Sequence, residues 1–166
     1  MTRRAGDFLL HPATLALLAL WALNDHVLKD QLHDALTGKL SDVASLAVFP
    51  LLPTAFFEML RARRGPPFEG NATLVSWCLA TGLVMATINV FDDAAWGYRF
   101  GLGALQVPFR SLAAGHLVAL RPVTLTMDPT DLWTLPALGI ALAIGWRRPY
   151  SEPATQQSNS AMKQVL

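Results

Sequence analysis

Four apolar segments, separated by short polar stretches, dominate the hydropathy pattern of the chain. They lie at about 8–28, 42–60, 72–91 and 130–146. An α-helix rises about 1.5 Å per residue, so about 20 mostly apolar residues cross the roughly 30 Å hydrocarbon core of a bilayer. The pattern therefore predicts an all-α fold, an integral membrane bundle of four transmembrane helices within residues 1–148.

A fifth apolar segment, residues 100–120, contains several polar side chains. A central arginine such as Arg110 costs at least about 2.5 kcal/mol on membrane-insertion scales. We therefore expect a short helix lying at the membrane interface between the third and fourth spans, with a fifth span as the alternative. The polar residues of the segment are Gln106, Pro108, Arg110 and His116, and the aromatic anchors before it are Trp96, Tyr98 and Phe100.

The two ends of the chain are polar. Arg3 and Arg4 precede the first apolar segment as in a secretory or twin-arginine signal, but no small-x-small cleavage site follows. We therefore expect the first segment to be retained as a span. Residues 149–166 have a polar composition that predicts a disordered cytoplasmic tail.

Composition and charge support a membrane location. Hydrophobic residues make up 52% of the chain and charged residues 15%, which is more apolar than an ordinary soluble domain. With the N-terminus inside, eight basic residues face the cytoplasm and five face outward, which predicts a multi-pass inner-membrane protein with both termini cytoplasmic. The inner set is Arg3, Arg4, Arg61, Arg63, Arg64, Arg147, Arg148 and Lys163, and the outer set is Lys29, Lys39, Arg99, Arg110 and Arg121.

The net charge of +1 and the single cysteine, Cys78, exclude two classes of function. Nucleic acid binding needs a clustered basic surface, which the sequence lacks. One cysteine allows neither an intramolecular disulfide nor a multi-cysteine metal site. We expect no nucleic acid partner and no cofactor, and the lipid bilayer is the first predicted partner.

Pro50 and Pro53 interrupt the second span. They remove the hydrogen bonds that would otherwise reach the carbonyls of Leu46 and Phe49, so a kink is expected. The simpler interpretation is a structural bend. The alternative is an ion or substrate contact in the middle of the membrane, as in the broken helices of transporters.

Small residues recur every four positions in the fourth span. This spacing allows close helix packing in lipid. One row is Ala137, Ala141 and Gly145, and a second is Gly139 and Ala143.

Most of the chemically interesting side chains lie at the predicted outer face. The first helix continues past the span through residues 24–36, where Asp25 and Lys29 share a face, until Thr37 and Gly38 end it. Ser41 is then expected to cap the second span, and Asp42 to lie at the positive end of its dipole.

The fourth span has a similar start. Asp128 is a candidate N-cap, Pro129 suits the first helical position, and Asp131 resembles the third residue of a capping box. Capping alone does not explain why Lys39 lies beside these acids. The predicted polar cluster comprises Asn24, Asp25, His26, Lys29, Lys39, Ser41, Asp42, Asp128 and Asp131.

The cluster favours a binding or assembly role, with a lipid head group, an ion or a partner protein as the ligand. A membrane enzyme is an alternative, although no recognised catalytic motif links its candidates. A small transporter is a second alternative. It is disfavoured for a monomer because no span has a charged residue in its middle, and a pore between subunits remains an alternative. The candidate catalytic residues are Asp25, His26, Asp42, Asp131 and His116.

A metal site is not expected in the cluster. His26 and His33 lie two helical turns apart, about 10 Å along the axis, so they cannot share one ion. His26 and Asp30 have usable spacing, but the third ligand would have to come from His116 or a distant aspartate.

Three segments carry a family resemblance: Asn24-Asp25-His26 with Lys29, the TGKLSD segment at 37–42, and the DPTDL segment at 128–132. They resemble the recurring motifs of an uncharacterised family of bacterial multi-pass membrane proteins, and that resemblance implies no activity. Val43-Ala44-Ser45-Leu46 stands where the family has Phe-Ala-Gly-Leu.

A fainter resemblance is to VanZ-like membrane proteins, through Lys39, Asp42 and Asp131. It implies an extracytoplasmic interaction with envelope components.

Overall fold

The computed structural model describes residues 5–28, 35–63 and 71–146. All regular secondary structure assigned within those ranges is helical, which confirms the predicted all-α class. Among the sequence predictions, Lys29, Asp30, His33 and the tail 149–166 lie outside the described residues.

The first apolar segment forms two pieces rather than one continuous helix. A 3-10 turn at Asp7–Leu10 precedes helix α1, Pro12–Leu23, which a π-helical turn continues over Asn24–Leu28. Pro12 suits the first turn of α1 because the N–H that it lacks would have no partner there. His11 caps the helix, its Nδ1 accepting the Ala13 N–H at 3.2 Å.

The second segment begins earlier than the sequence pattern predicts. Helix α2 spans Ala35–Val48 and helix α3 spans Leu51–Ala62, with the break at Phe49 and Pro50 where the prolines are expected to disturb the helix. The Pro50 carbonyl accepts the Thr54 hydroxyl at 2.7 Å. Gly38 lies inside α2, so its predicted role as a C-terminal cap is wrong.

Two long helices follow. Helix α4, Ala72–Val90, agrees with the predicted third span and ends at the extended residue Phe91. Helix α5, Asp92–Ala114, begins directly after it and closes at Gly115, whose φ of 71° favours glycine. The helix expected at 100–120 therefore starts and ends earlier, and it is not short.

The return loop, residues 116–127, runs back along α5. The Val123 N–H donates to the Arg99 carbonyl at 3.0 Å, and the Arg99 guanidinium donates to the Leu125 carbonyl. A Cβ atom at Gly103 would lie 2.3 Å from the carbonyl oxygen of Arg121. This close approach of two backbones requires glycine at position 103.

The fourth segment changes helix type along its length. A 3-10 helix over Pro129–Ala137 leads into helix α6, Leu138–Gly145. The first predicted row of small residues packs inward, since Ala137, Ala141 and Gly145 are all buried. Gly139 and Ala143, the second row, are exposed.

The helices pack into one bundle. Helix α2 packs between α1 on one side and the 3-10 helix with α6 on the other, while α4 packs against α3, α6 and the 3-10 helix. Helix α5 packs principally against α4. A buried apolar cluster lies at the end of the bundle opposite to Asn24 and Ser41, and it comprises Phe8, Leu51, Ala55, Leu74, Cys78 and Ala141.

Two helical stretches, Thr37–Ala62 and Ala72–Val90, are long and apolar enough to cross a membrane. Pro12–Leu28 is apolar but shorter. Large hydrophobic side chains also cover much of the exterior, among them Phe56 at 59% exposed and Leu79 at 69%. Many exposed large hydrophobic side chains are typical of a protein that meets a membrane or another protein.

Candidate functional site

One end of the bundle carries two neighbouring sets of polar contacts that meet on α2 and together join four helices. They lie where α1 and α4 end and where α2 and the 3-10 helix begin. We name the two sets together the polar belt, and it comprises Asn24, Asp25, Thr37, Lys39, Ser41, Asn89, Asp128, Thr130 and Asp131.

Asn24 connects α1 to α2. Its side chain is fully buried, and Nδ2 donates to the Thr37 carbonyl and to Ser41 Oγ, each at 2.7 Å. The Ser41 hydroxyl donates in turn to the Asp25 carboxylate. Within the described part of the chain Asn24 Oδ1 has no hydrogen-bond partner, so the two donated bonds alone hold the carboxamide.

These contacts explain why the second helix starts before Ser41. Thr37 and Ser41 are four residues apart, which places them on the same helix face, toward α1. Tertiary partners on that face stabilise helical backbone through Gly38, although glycine costs about 1 kcal/mol relative to alanine. The prediction that Ser41 caps the second span is therefore wrong, because Ser41 lies inside α2.

Lys39 connects α2 to the start of the 3-10 helix. Its Nζ donates to Thr130 Oγ1 at 2.8 Å and to Asp131 Oδ1 at 3.2 Å. It lies two residues from both Thr37 and Ser41, so it projects from nearly the opposite side of α2. The helix start is therefore fixed on two sides. The side chain of Lys39 is 37% exposed and that of Asp131 is 19% exposed.

Asp128 caps the 3-10 helix, as predicted. Its Oδ1 accepts the Thr130 N–H at 2.8 Å, and Pro129 occupies the first helical position. Hydrogen bonding from Thr130, first from its hydroxyl and then from its N–H, lowers the pKa of Asp128 below its ordinary value. Lys39 adds a smaller electrostatic contribution to this lowering of the pKa.

The predicted capping box does not form. In a capping box the Asp131 carboxylate would accept the Asp128 N–H. That N–H instead donates to Asn89 Oδ1 at 3.0 Å, and Asp131 binds Lys39. Two competing partners, one from α4 and one from α2, explain the difference.

Asn89 is a belt residue that does not belong to the predicted polar cluster. It is 2% exposed, and its Nδ2 donates to the Met85 carbonyl at 3.0 Å while its Oδ1 binds the fourth segment. The available signal was a carboxamide close to the end of an otherwise apolar helix. Buried amides need partners, so its location predicts a contact with a neighbouring helix start.

Other predicted site residues lie apart from the belt contacts. His26 is exposed on the π-helical turn. Asp42 lies inside α2, where its carbonyl accepts the Ser45 hydroxyl at 3.0 Å, so its predicted position at the helix N-terminus is wrong. His116 is exposed on the return loop, with Nδ1 3.1 Å from the Ala114 carbonyl oxygen.

The candidate catalytic residues are therefore distributed over several surfaces. Asp25 and Asp131 bind opposite sides of α2, and His116 belongs to the return loop. The described residues contain no group of three or more His, Cys, Asp or Glu side chains that could hold one metal ion.

An apolar groove of about 340 Å³ lies beside the belt, bordered by α1, α2, α3, α4 and α5. Trp21 and Ser45 line it near the belt, and Pro53 and Trp77 line it toward the opposite end. No lining residue is charged, so the groove next to the interrupted helix is not a polar path for ions.

Neither family models nor curated proteins nor solved structures yield a match to this chain.

Proposed function

We propose that the chain is a four-span integral membrane protein of the inner membrane that serves as a binding or assembly subunit. The polar belt fastens the ends of its spans at the extracytoplasmic face, and the lipid bilayer is its first partner. The observation that carries this proposal is the fixation of α2 on two sides. Asn24 holds the helix toward α1, while Lys39 holds it toward Asp131.

The helix lengths support four spans. Thr37–Ala62 has 26 residues and Ala72–Val90 has 19, which correspond to about 39 Å and about 28 Å. The fourth segment has nine 3-10 residues and eight α-helical residues. Since a 3-10 helix rises about 2.0 Å per residue, this segment extends about 30 Å, close to the hydrocarbon thickness. The 17-residue helical stretch Pro12–Leu28 extends about 25 Å.

The charge pattern supports the same arrangement. No Asp, Glu, Lys or Arg occurs at positions 8–24, 43–57, 70–91 or 132–146. Charges in lipid are expensive, so uninterrupted stretches of this length suit the bilayer interior. The belt then lies at one boundary of these stretches, and the basic residue Arg63 lies at the other.

Helix α5 suits a position at the membrane interface. Leu105, Phe109 and Leu112 recur at i, i+4 and i+7 and are between 69% and 84% exposed. An amphipathic helix of this kind places its apolar side in the boundary between head groups and acyl chains. Trp96, 63% exposed, provides an interfacial aromatic side chain near its start.

The belt contacts favour binding or assembly over catalysis or transport. Lys39 and Asp131 form a direct ion pair, so these charged groups satisfy each other. Exposed Asp25 and partly exposed Lys39 remain at the surface, where they can meet a lipid head group or a partner protein. We also propose that the chain is related to the bacterial multi-pass membrane proteins whose motifs it resembles.

Cysteine labelling tests the topology. Single cysteines replace exposed His26, Asp93 or Arg63 in a chain carrying Cys78→Ala. In intact cells a membrane-impermeant maleimide should label positions 26 and 93, and should label position 63 only after permeabilisation. Labelling of positions 26 and 63 from the same side would contradict the four-span arrangement.

A further inference from the structure

We propose that the apolar groove binds one acyl chain of a membrane phospholipid, with the head group at the end next to the polar belt. The inference rests on the proposed membrane location, and it adds a ligand class and a site. The site is distinct from the contacts of the belt, since its walls are apolar side chains rather than charged ones.

One face of α4 forms the long wall of the groove. Its lining residues recur with the spacing of a single helix face, from Trp77 through Thr81, Val84 and Met85 to Ile88. These eleven steps correspond to about 16 Å along the helix axis. The rest of the lining comes from α1, α2, α3, α5 and the helix break, which border this face of α4 without covering it. These residues are Trp21, Ser45, Leu46, Phe49, Pro53 and Tyr98.

The size of the groove selects a single hydrocarbon chain. A helix with side chains is about 10 Å across, so 16 Å of it would fill about 1,200 Å³. The groove provides about 340 Å³. A hydrocarbon chain is about 4–5 Å across at van der Waals contact, and it fills about 200–300 Å³ over the same length. The groove therefore matches one acyl chain and is too narrow for a helix.

The chemistry of the lining gives the ligand its direction. Apart from Thr81, the middle and far end are lined by hydrocarbon and aromatic side chains, which suits an acyl chain in lipid. Ser45, Tyr98 and Trp21 also line the groove, and Ser45 and Trp21 lie one helical turn from the belt residues Ser41 and Asn24. This end of the groove therefore meets the charged boundary of the bundle. Tryptophan and tyrosine prefer that boundary, where head groups lie.

A second copy of the chain is a less suitable occupant. Over a length of about 16 Å, a volume of about 340 Å³ gives a mean width of about 5 Å, or about 80 Å² of covered surface. A stable protein interface buries about 800 Å² on each partner. The groove is open along one side, so the remaining chain of a phospholipid can stay in the bilayer.

Quenching of tryptophan fluorescence tests the site in the full chain purified in detergent. Trp96, Trp133 and Trp146 are replaced by phenylalanine, which leaves the two groove tryptophans, Trp21 and Trp77. Phosphatidylcholine with brominated acyl chains is then added in small molar excess. We expect saturable quenching at about one lipid per chain, because one site holds one acyl chain.

Groove-filling substitutions supply the comparison. Ala80→Phe and Val84→Phe place a ring in the groove, whereas Leu83→Phe adds the same ring at a position 67% exposed outside it. Loss of about two methylene contacts corresponds to about tenfold weaker binding. The lipid concentration at half-saturation should therefore rise at least about tenfold in the groove variants and stay unchanged in the control.

Each outcome decides the proposal. Quenching that does not saturate, or that is equal in Ala80→Phe, Val84→Phe and Leu83→Phe, would overturn it. A dimer that only the groove-filling variants dissociate would overturn it too, in favour of a second copy. Val84→Phe decides the result if Ala80→Phe does not fold. Failure of the membrane arrangement itself would appear in the cysteine labelling of His26 and Arg63, which does not depend on the groove.

Discussion

Removal of the Lys39 ammonium should loosen the belt by a measurable amount. Lys39→Met keeps the aliphatic stem and removes the ion pair with Asp131 and the hydrogen bond to Thr130. The ion pair is partly exposed, so we assign it about 0.5–1 kcal/mol. The hydrogen bond contributes about 1 kcal/mol. The expected loss is therefore about 1.5–2 kcal/mol, which lowers Tm by about 3–8 °C in a chain of this size.

Thermal unfolding in detergent, followed by tryptophan fluorescence, measures this loss. A double-mutant cycle with Lys39→Met and Asp131→Asn isolates the pair, whose coupling should be about 0.5–1 kcal/mol and should fall with added salt. Arg121→Met is the matched control, because Arg121 is exposed outside the belt and its loss should change stability by less than about 0.5 kcal/mol. If Lys39→Met and Arg121→Met changed stability equally, with no coupling between Lys39 and Asp131, the Lys39–Asp131 ion pair would not stabilise the belt.

Two further predictions use the same unfolding assay. Gly103→Ala should destabilise the protein by about 1–3 kcal/mol, since the added Cβ would lie 2.3 Å from a carbonyl oxygen of the return loop. The control Gly101→Ala, whose Cβ would have nothing within 4 Å, should be neutral or stabilising by up to about 1 kcal/mol. A change in stability of the same sign in both variants would contradict the close approach. Asn24→Ala removes two donated hydrogen bonds at a buried position, so the free energy of unfolding should fall by about 2–3 kcal/mol. His26→Ala, in the same turn but exposed, should change the stability little. An equally small effect of Asn24→Ala would argue against the belt.

The polar belt shows how local capping signals and tertiary contacts compete. At Asp128 the local signal prevails, because aspartate before proline caps a helix with its own chain atoms. At Ser41 and Asp131 the same kind of signal gives way to partners from other helices. Asp25 takes the Ser41 hydroxyl, and Lys39 takes the Asp131 carboxylate. A polar side chain near a helix end therefore predicts the position of that helix end more reliably than it predicts the group to which the side chain bonds.

The prolines and glycines illustrate the same division. Pro50 lacks an N–H wherever it lies, so a break near it follows from the sequence, and α-helix is interrupted at Phe49 and Pro50. Gly38 and Gly103 have no such fixed consequence. Gly38 lies within a helix that Asn24 contacts through the Thr37 carbonyl. Gly103, in contrast, leaves space for the backbone of Arg121, eighteen residues later in the chain.

The chain's residues alone predict the all-α class, the positions of the apolar segments, the helix break near Pro50 and the concentration of polar residues near one set of segment ends. Those properties depend on hydropathy and on local backbone chemistry, which act over a few residues. The contact of Lys39 with Asp131, the place of Asn89 in the belt and the open face of α4 appear only in the folded protein. Such pairings join residues up to 92 positions apart, and they depend on the relative placement of packed helices, which no local pattern specifies.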